Sequence, residues 1–182
     1  ISLRDDDGGP LEVDLNGEVV EGSLAVTVPA GGLKVIETDG EGDLAVGSAT
    51  ITSDQPLGGV VLFGGSAGVA GVGASEVLDE GFLAPMERAS SRGINTGIAV
   101  MNLEVEEITL ELELLSPEGS QLAKAQVALA RDGHRARFLN QFEWSEDIDF
   151  SNFQGLLRAR STGRCAATVI QTRPNQFATM PV

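Results

Sequence analysis

The sequence predicts an all-β protein, built as two antiparallel β-sandwich modules in tandem. The modules span residues 1–81 and 82–182, and the first lacks its N-terminal strands. Three observations predict this. Apolar and polar residues alternate with a period of two, the period of a half-buried strand. Glycine, Asp-Gly and proline turn signals interrupt the strands every 8–12 residues, the spacing of Ig-like sandwiches. The second half of the chain also repeats the first.

In chain order, "ISLRD" reads as a strand, followed by the acidic turn "DDDGGP". "LAVTVPAGG", "LKVIETDG" and "SATITSD" read as strands with turns between them. "GGVVLFGGSAGVAGVGAS", Gly58 to Ser75, invites comparison with a phosphate cradle. A P-loop needs Gly-Lys-Ser/Thr opening a helix, and no lysine is nearby, so a β-hairpin is expected. "GFLAPMERA" and "GINTGIAVMN" open the second half. "ITLELELL" then alternates strictly, with Ile108, Leu110, Leu112 and Leu114 on one face and Thr109, Glu111 and Glu113 on the other. "HRARF" sets Arg135 and Arg137 opposite Ala136 and Phe138, and "LLRARS" sets Arg158 and Arg160 opposite Leu157 and Ala159. Glutamate and arginine faces are expected to meet across strands. Helical turns are expected only within "DEGFLAPMERASS" and "LNQFEWSEDIDFSNF".

The repeat is read from three alignments. "TSDQPLGGVVLFGGSAGVAGVGAS" lies over "RSTGRCAATVIQTRPNQFATMPV" at an offset of 108, with Ser53 over Ser161. "LRDDDGGPL" lies over "LLSPEGSQL" at 111, with Gly8 over Gly119. "VTVPAGGLKV" lies over "VALARDGHRA" at 101, with Gly32 over Gly133. In this alignment "ISLRD" matches "ITLELELL", so the segments equivalent to "GFLAPMERA" and "GINTGIAVMN" have no counterpart in the first copy. The chain also starts without Met, directly in strand-like sequence, as expected of a processed or trimmed product.

"GINTGIAVMN", "GHRARFLNQF", "DFSNFQGLLRARS" and "NQFATMPV" together resemble recurrent modules of bacterial secreted and cell-surface proteins. In those modules a segment like TGVAVAN precedes an alternating strand, GHxARFL and SNFxGTLR segments follow, and the unit closes near QFTTLPV. The likeness covers residues 82–182 and, as a partial copy, 1–81. It implies tandem β-sandwiches appended to larger extracellular proteins. It implies no settled activity and supplies no catalytic residues. Cys165 stands where those modules carry an apolar residue.

Composition narrows the function classes. Of 182 residues, 42% are hydrophobic and 4% aromatic with no Tyr, so the core must be aliphatic. The net charge of −15 opposes a phosphate backbone, and no nucleic-acid partner is expected. Residues 1–81 carry 15 acids and 2 bases, whereas 82–182 carry 12 and 10. No apolar run reaches the roughly 18 residues of a membrane span, so no membrane insertion is expected. The single cysteine excludes an internal disulfide.

Candidate sites are few. Asp5, Asp6 and Asp7, then Asp39, Glu41 and Asp43, and also Glu146, Asp147 and Asp149, could gather oxygens around Ca²⁺. None follows a full EF-hand pattern, and each run also reads as a solvated turn. Trp144, with Phe142, Phe150 and Phe153, offers either a sugar-stacking platform or a plug at the sandwich end. His134, the one histidine, has no G-x-S-x-G partner and reads as structural. Cys165 reads as a small buried hydrophobe. The expected function is a non-enzymatic structural or assembly module at the bacterial cell surface or outside the cell. Its expected partners are other protein subunits, including copies of itself joined by strand complementation. Adhesion to a glycan or protein is the first alternative, and glycoside hydrolysis by paired carboxylates is the second. No cofactor is expected apart from the Ca²⁺ candidates.

Overall fold

A computed structural model describes residues 1–41, 44–65 and 68–182. The protein is all-β, with antiparallel sheets and no α-helix among the described residues. The first half holds β1 (Ser2–Asp5), β2 (Glu12–Leu15), β3 (Glu18–Glu21), β4 (Gly47–Thr50), β5 (Val60–Gly65) and β6 (Gly68–Gly73). The second half holds β7 (Gly81–Ala89), β8 (Ile94–Asn102), β9 (Ile108–Leu115), β10 (Gln121–Leu129), β11 (His134–Phe138), β12 (Asn152–Ser161), β13 (Cys165–Arg173) and β14 (Gln176–Pro181). Of two 3₁₀ turns, Leu139–Gln141 falls inside one stretch where a helical turn was expected, and Ser90–Arg92 overlaps the end of the other, which closes at Ser91.

The eight strands of the second half pair in two groups of four. One runs β10-β9-β12-β7, and the other joins β11, β8, β13 and β14. β7 and β8 meet at a corner, where Arg88 faces Asn95 and Ala89 faces Ile94. β7 tolerates Pro85 because it ends its group, so the missing N–H removes no bond to β12. The alternation read from "ITLELELL" is realised: Ile108, Leu110, Leu112 and Leu114 are all buried. They join Met86, Val100, Leu129, Leu157, Val169 and others from both groups in one core.

The outer faces of the two groups differ. On the first, Arg158 faces Glu113 and Arg160 faces Glu111 in the β12–β9 register. Arg158 donates to Glu113 at 3.1 Å, and Lys124 lies 3.7 Å from the same carboxylate. Here the expected meeting of the glutamate and arginine faces takes place. The β11 arginines are placed otherwise. Arg135 pairs with Val100 and Arg137 with Ile98. Directly opposite residues share a face, so these arginines lie at the rim of the core side. His134, Ala136 and Phe138 pair with Met101, Ala99 and Gly97 on the outer face. That outer face is where the first half rests.

The first half has small sheets only: β1–β4, β2–β3 and β5–β6. The glycine-rich stretch is a hairpin, β5–β6, whose loop residues 66–67 lie outside the described residues. Residues 24–41 and 44–46, where "LAVTVPAGG" and "LKVIETDG" were expected to be strands, carry no strand. A strand needs a continuous ladder of backbone bonds, and these residues make only isolated ones to the rest of the chain, Leu24 with Ile1 and Glu37 with Asn16. The β2–β3 hairpin was not anticipated. It turns on Asn16 and Gly17, both at positive φ, the usual requirement of a two-residue type I′ loop.

Candidate functional site

The sequence-derived candidates disperse in the structure. Among the described residues, no group of three or more His, Cys, Asp or Glu side chains is placed to hold a metal ion. Asp5 instead caps its own turn, its Oδ1 accepting the Asp7 N–H at 3.0 Å and the Gly9 N–H at 2.7 Å. Asp6 turns to the other half, with Oδ1 3.0 Å from His134 Nδ1 and Oδ2 3.5 Å from Arg135 Nη1. Asp7 is exposed. Asp39 accepts the Glu41 N–H at 3.0 Å, and Asp43 lies outside the described residues. Glu146 and Asp147 are exposed. Asp149 accepts the Ser151 N–H at 2.8 Å, and that bond, aided by the Ser151 hydroxyl, holds its carboxyl below the usual range.

The aromatic residues do cluster. Phe142 and Trp144 have ring centroids 5.7 Å apart, Trp144 and Phe150 6.3 Å, and Phe150 and Phe153 5.8 Å. Trp144 is half-buried against the core, and its Nε1–H donates to the Leu139 carbonyl at 2.8 Å. Cys165 is fully buried and burial pushes its thiol pKa up, which leaves it protonated and unreactive.

Two features were not read from the sequence. Asn102 is buried, and its side-chain amide donates to the carbonyls of Glu106, Leu129 and Ala130 while its oxygen accepts the Glu104 N–H. It ties together the loops at that end of the second half. The other feature is the joint between halves. His134 is buried there, its backbone N–H donates to Asp6 O at 3.1 Å, and Gly8 sits against the Arg131 carbonyl so closely that no Cβ would fit. A contact across 128 residues leaves no local signal.

The most informative geometry lies in the repeat. The turn after β1 and the turn after β9 share their hydrogen bonds. Gly8 donates to Asp5 O as Gly119 donates to Ser116 O, and Asp5 donates to Gly9 O as Ser116 donates to Ser120 O. Gly8 and Gly119 have φ of 85° and 87°. Arg4 bridges Pro10 as Leu115 pairs with Gln121. β1 pairs β4 in the register by which β9 pairs β12, Arg4 facing Ser48 as Leu115 faces Leu156. A Cβ on Gly47 would strike the Arg4 carbonyl, and one on Gly155 the Leu115 carbonyl. Gly32 donates to Pro29 O as Gly133 donates to Ala130 O. The hairpin β5–β6 pairs residue for residue as β13–β14 does.

What differs is burial. Val61 is 47% exposed where Val169 is 0%, Ile51 is 51% where Ala159 is 2%, and Leu57 is 50% where Cys165 is 0%. The strands that border this open surface are β4, β5 and the segment 33–36. Their equivalents β12, β13 and β11 are the strands that pair with β7 or β8. The candidate functional site is therefore this open set of strand edges.

Comparison with family models, curated proteins and solved structures gives no match for the chain.

Proposed function

We propose that the chain is a non-enzymatic structural module of a bacterial extracellular or cell-surface protein, working in assembly. In this reading it comprises two tandem Ig-like sandwiches, residues 1–81 and 82–182, and among the described residues 1–81 hold no counterpart of β7 and β8. The supporting observation is the shared turn and strand register of the halves, combined with edges that are open in the first half where β7 and β8 cover their equivalents in the second. Unpaired edges and uncovered apolar residues are a liability for a free protein and an asset for one that joins others. Adhesion through Trp144 gains less support, because the ring packs on the core and its N–H is already satisfied. Paired carboxylates gain none from Asp5, Asp6 or Asp149, whose oxygens are engaged by backbone or by the other half.

The test is location. An epitope inserted in the exposed turn at 116–120 should be labelled on intact cells or in material shed by them. Label confined to the cell interior would end this reading.

A further inference from the structure

We propose that Asn16 is a self-modifying site: the β2–β3 turn promotes closure of its side chain on Gly17 as a succinimide, which water then opens to aspartate or isoaspartate. This chemistry needs neither the open strand edges nor a cell-surface location.

The turn brings four parts together. The nucleophile is the Gly17 amide nitrogen, which reaches the Asn16 side-chain carbonyl carbon through a five-membered ring. Glycine leaves that nitrogen unshielded, and a Cβ at position 17 would meet nothing within 4 Å. The base is Asp14, whose Oδ1 already accepts the Gly17 N–H at 2.8 Å. The fourth part polarises the electrophile. Asn16 Oδ1 accepts the Glu37 N–H at 3.1 Å, so a fixed dipole points at the oxygen where negative charge develops. The Asn16 N–H donates to Glu37 O at 2.8 Å, which completes a two-bond clasp and holds that donor in place. Asn16 and Gly17 are exposed, so water reaches the imide.

The step balances without an oxidant or a cofactor. Gly17 N attacks Asn16 Cγ, and its proton passes to the Asp14 carboxylate. Asp14 returns the proton to the side-chain nitrogen, the Cγ–N bond breaks and ammonia leaves. Water then adds to one of the two imide carbonyls. Opening at Cγ gives aspartate, and opening at the backbone carbonyl gives isoaspartate with an extra methylene in the main chain. Either product adds a negative charge beside Asp14 and Glu18. Isoaspartate also shifts the turn that carries the clasp to Glu37, so the modification frees the irregular segment that Glu37 anchors.

The chain supplies its own control. Asn16 is the one asparagine followed by glycine. Asn175 sits in another hairpin turn at φ 57°, against 56° for Asn16. Its next residue is Gln176, which carries a side chain and pairs with Arg173. Backbone conformation is thus matched between the two, and the glycine and the carboxylate are not.

The experiment ages the full chain at neutral pH and reads each asparagine by peptide mass spectrometry, with isoaspartate methyltransferase labelling as the second readout. Asn16 should convert about ten-fold or more faster in the folded chain than in the same chain unfolded in urea, while Asn175 stays intact. Asp14→Asn should bring the folded rate down to the unfolded one. Exchange at Val13 and Val20 shows whether that variant keeps its hairpin. Glu37→Pro removes the N–H donor and leaves the Asp14 contact untouched, and it should slow conversion as well. Aged chain should exchange faster at Asn16 and Glu37 and keep native protection in β9. Three results overturn the proposal: Asn16 converting no faster folded than unfolded, an unchanged rate in Asp14→Asn with its hairpin intact, or an unchanged rate in Glu37→Pro.

Discussion

The two halves of this chain share turns and differ in core. The turns at 5–9 and 116–120 have the same bonds, and so do those at 29–32 and 130–133. Yet one half buries Leu110, Leu112, Leu114, Leu129 and Leu157, while in the other Ala70 is the one buried hydrophobic residue among those described. The comparison separates two scales of folding. A turn is fixed by a few adjacent residues, a glycine at positive φ and a side chain able to cap an N–H. A core requires strands on all sides, and removing two strands leaves the remaining apolar residues facing water.

The sharpest way to break the comparison is to truncate equivalent leucines. Leu114 pairs with Leu157 as Leu3 pairs with Ala49. Leu114→Ala should cost about 2–5 kcal/mol, the range for a leucine removed from a closed core. Leu3→Ala should cost under about 1 kcal/mol, since the half-buried site can collapse or hydrate. Denaturant unfolding of both variants measures this, and equal costs would mean the first half has a core of its own in solution. A smaller effect comes from Gly155→Ala and Gly47→Ala, which place a Cβ against equivalent carbonyls. The first should lower global stability by about 1–3 kcal/mol, as overpacking does. The second should leave the midpoint unchanged and speed exchange only around β1 and β4, a pattern that exchange mass spectrometry resolves. The smallest expected effect is electrostatic. Arg164 donates to Glu104 at 2.8 Å, and that hydrogen bond holds the Glu104 carboxyl below the usual carboxylate range. A lowered carboxylate adds stability above its unfolded pKa and loses it as pH falls through the folded one. The Tm gap between the wild type and Glu104→Gln should therefore be small at neutral pH and close as pH falls below the usual carboxylate range. A gap that persists at low pH would assign the effect to packing.

The strands of the second half were legible because each is long, alternates and has neighbours that let its period act. β9 runs over Ile108–Leu115, the stretch read from alternation alone. The hairpin in the glycine-rich stretch was legible through its copy, where Arg173 and Gln176 flank an ordinary turn. In the first half the same reading overshot. "LAVTV" and "LKVIE" have strand composition, but composition cannot supply the missing partner, and residues 24–41 stay irregular. The ten-residue change between offsets 111 and 101 was visible as drift. Its cause, the β2–β3 hairpin, was signalled by Asn16-Gly17, a strong short-range hairpin pair that alignment to the second half passes over. Among site residues, Asp5, Asp6 and Asp7 were legible as turn formers. That Asp6 faces His134 was not, because the contact depends on how the halves dock.

That docking has a consequence for synthesis. The first half leaves the ribosome before the surface it rests on exists, for Asp6 must wait 128 residues for His134. At about 5–20 residues per second, the delay is roughly 6–26 s. Throughout it the nascent segment exposes valines, leucines and isoleucines with little to bury them. Its 15 acids against 2 bases give that segment strong like-charge repulsion while it waits, which opposes sticking between neighbouring nascent chains.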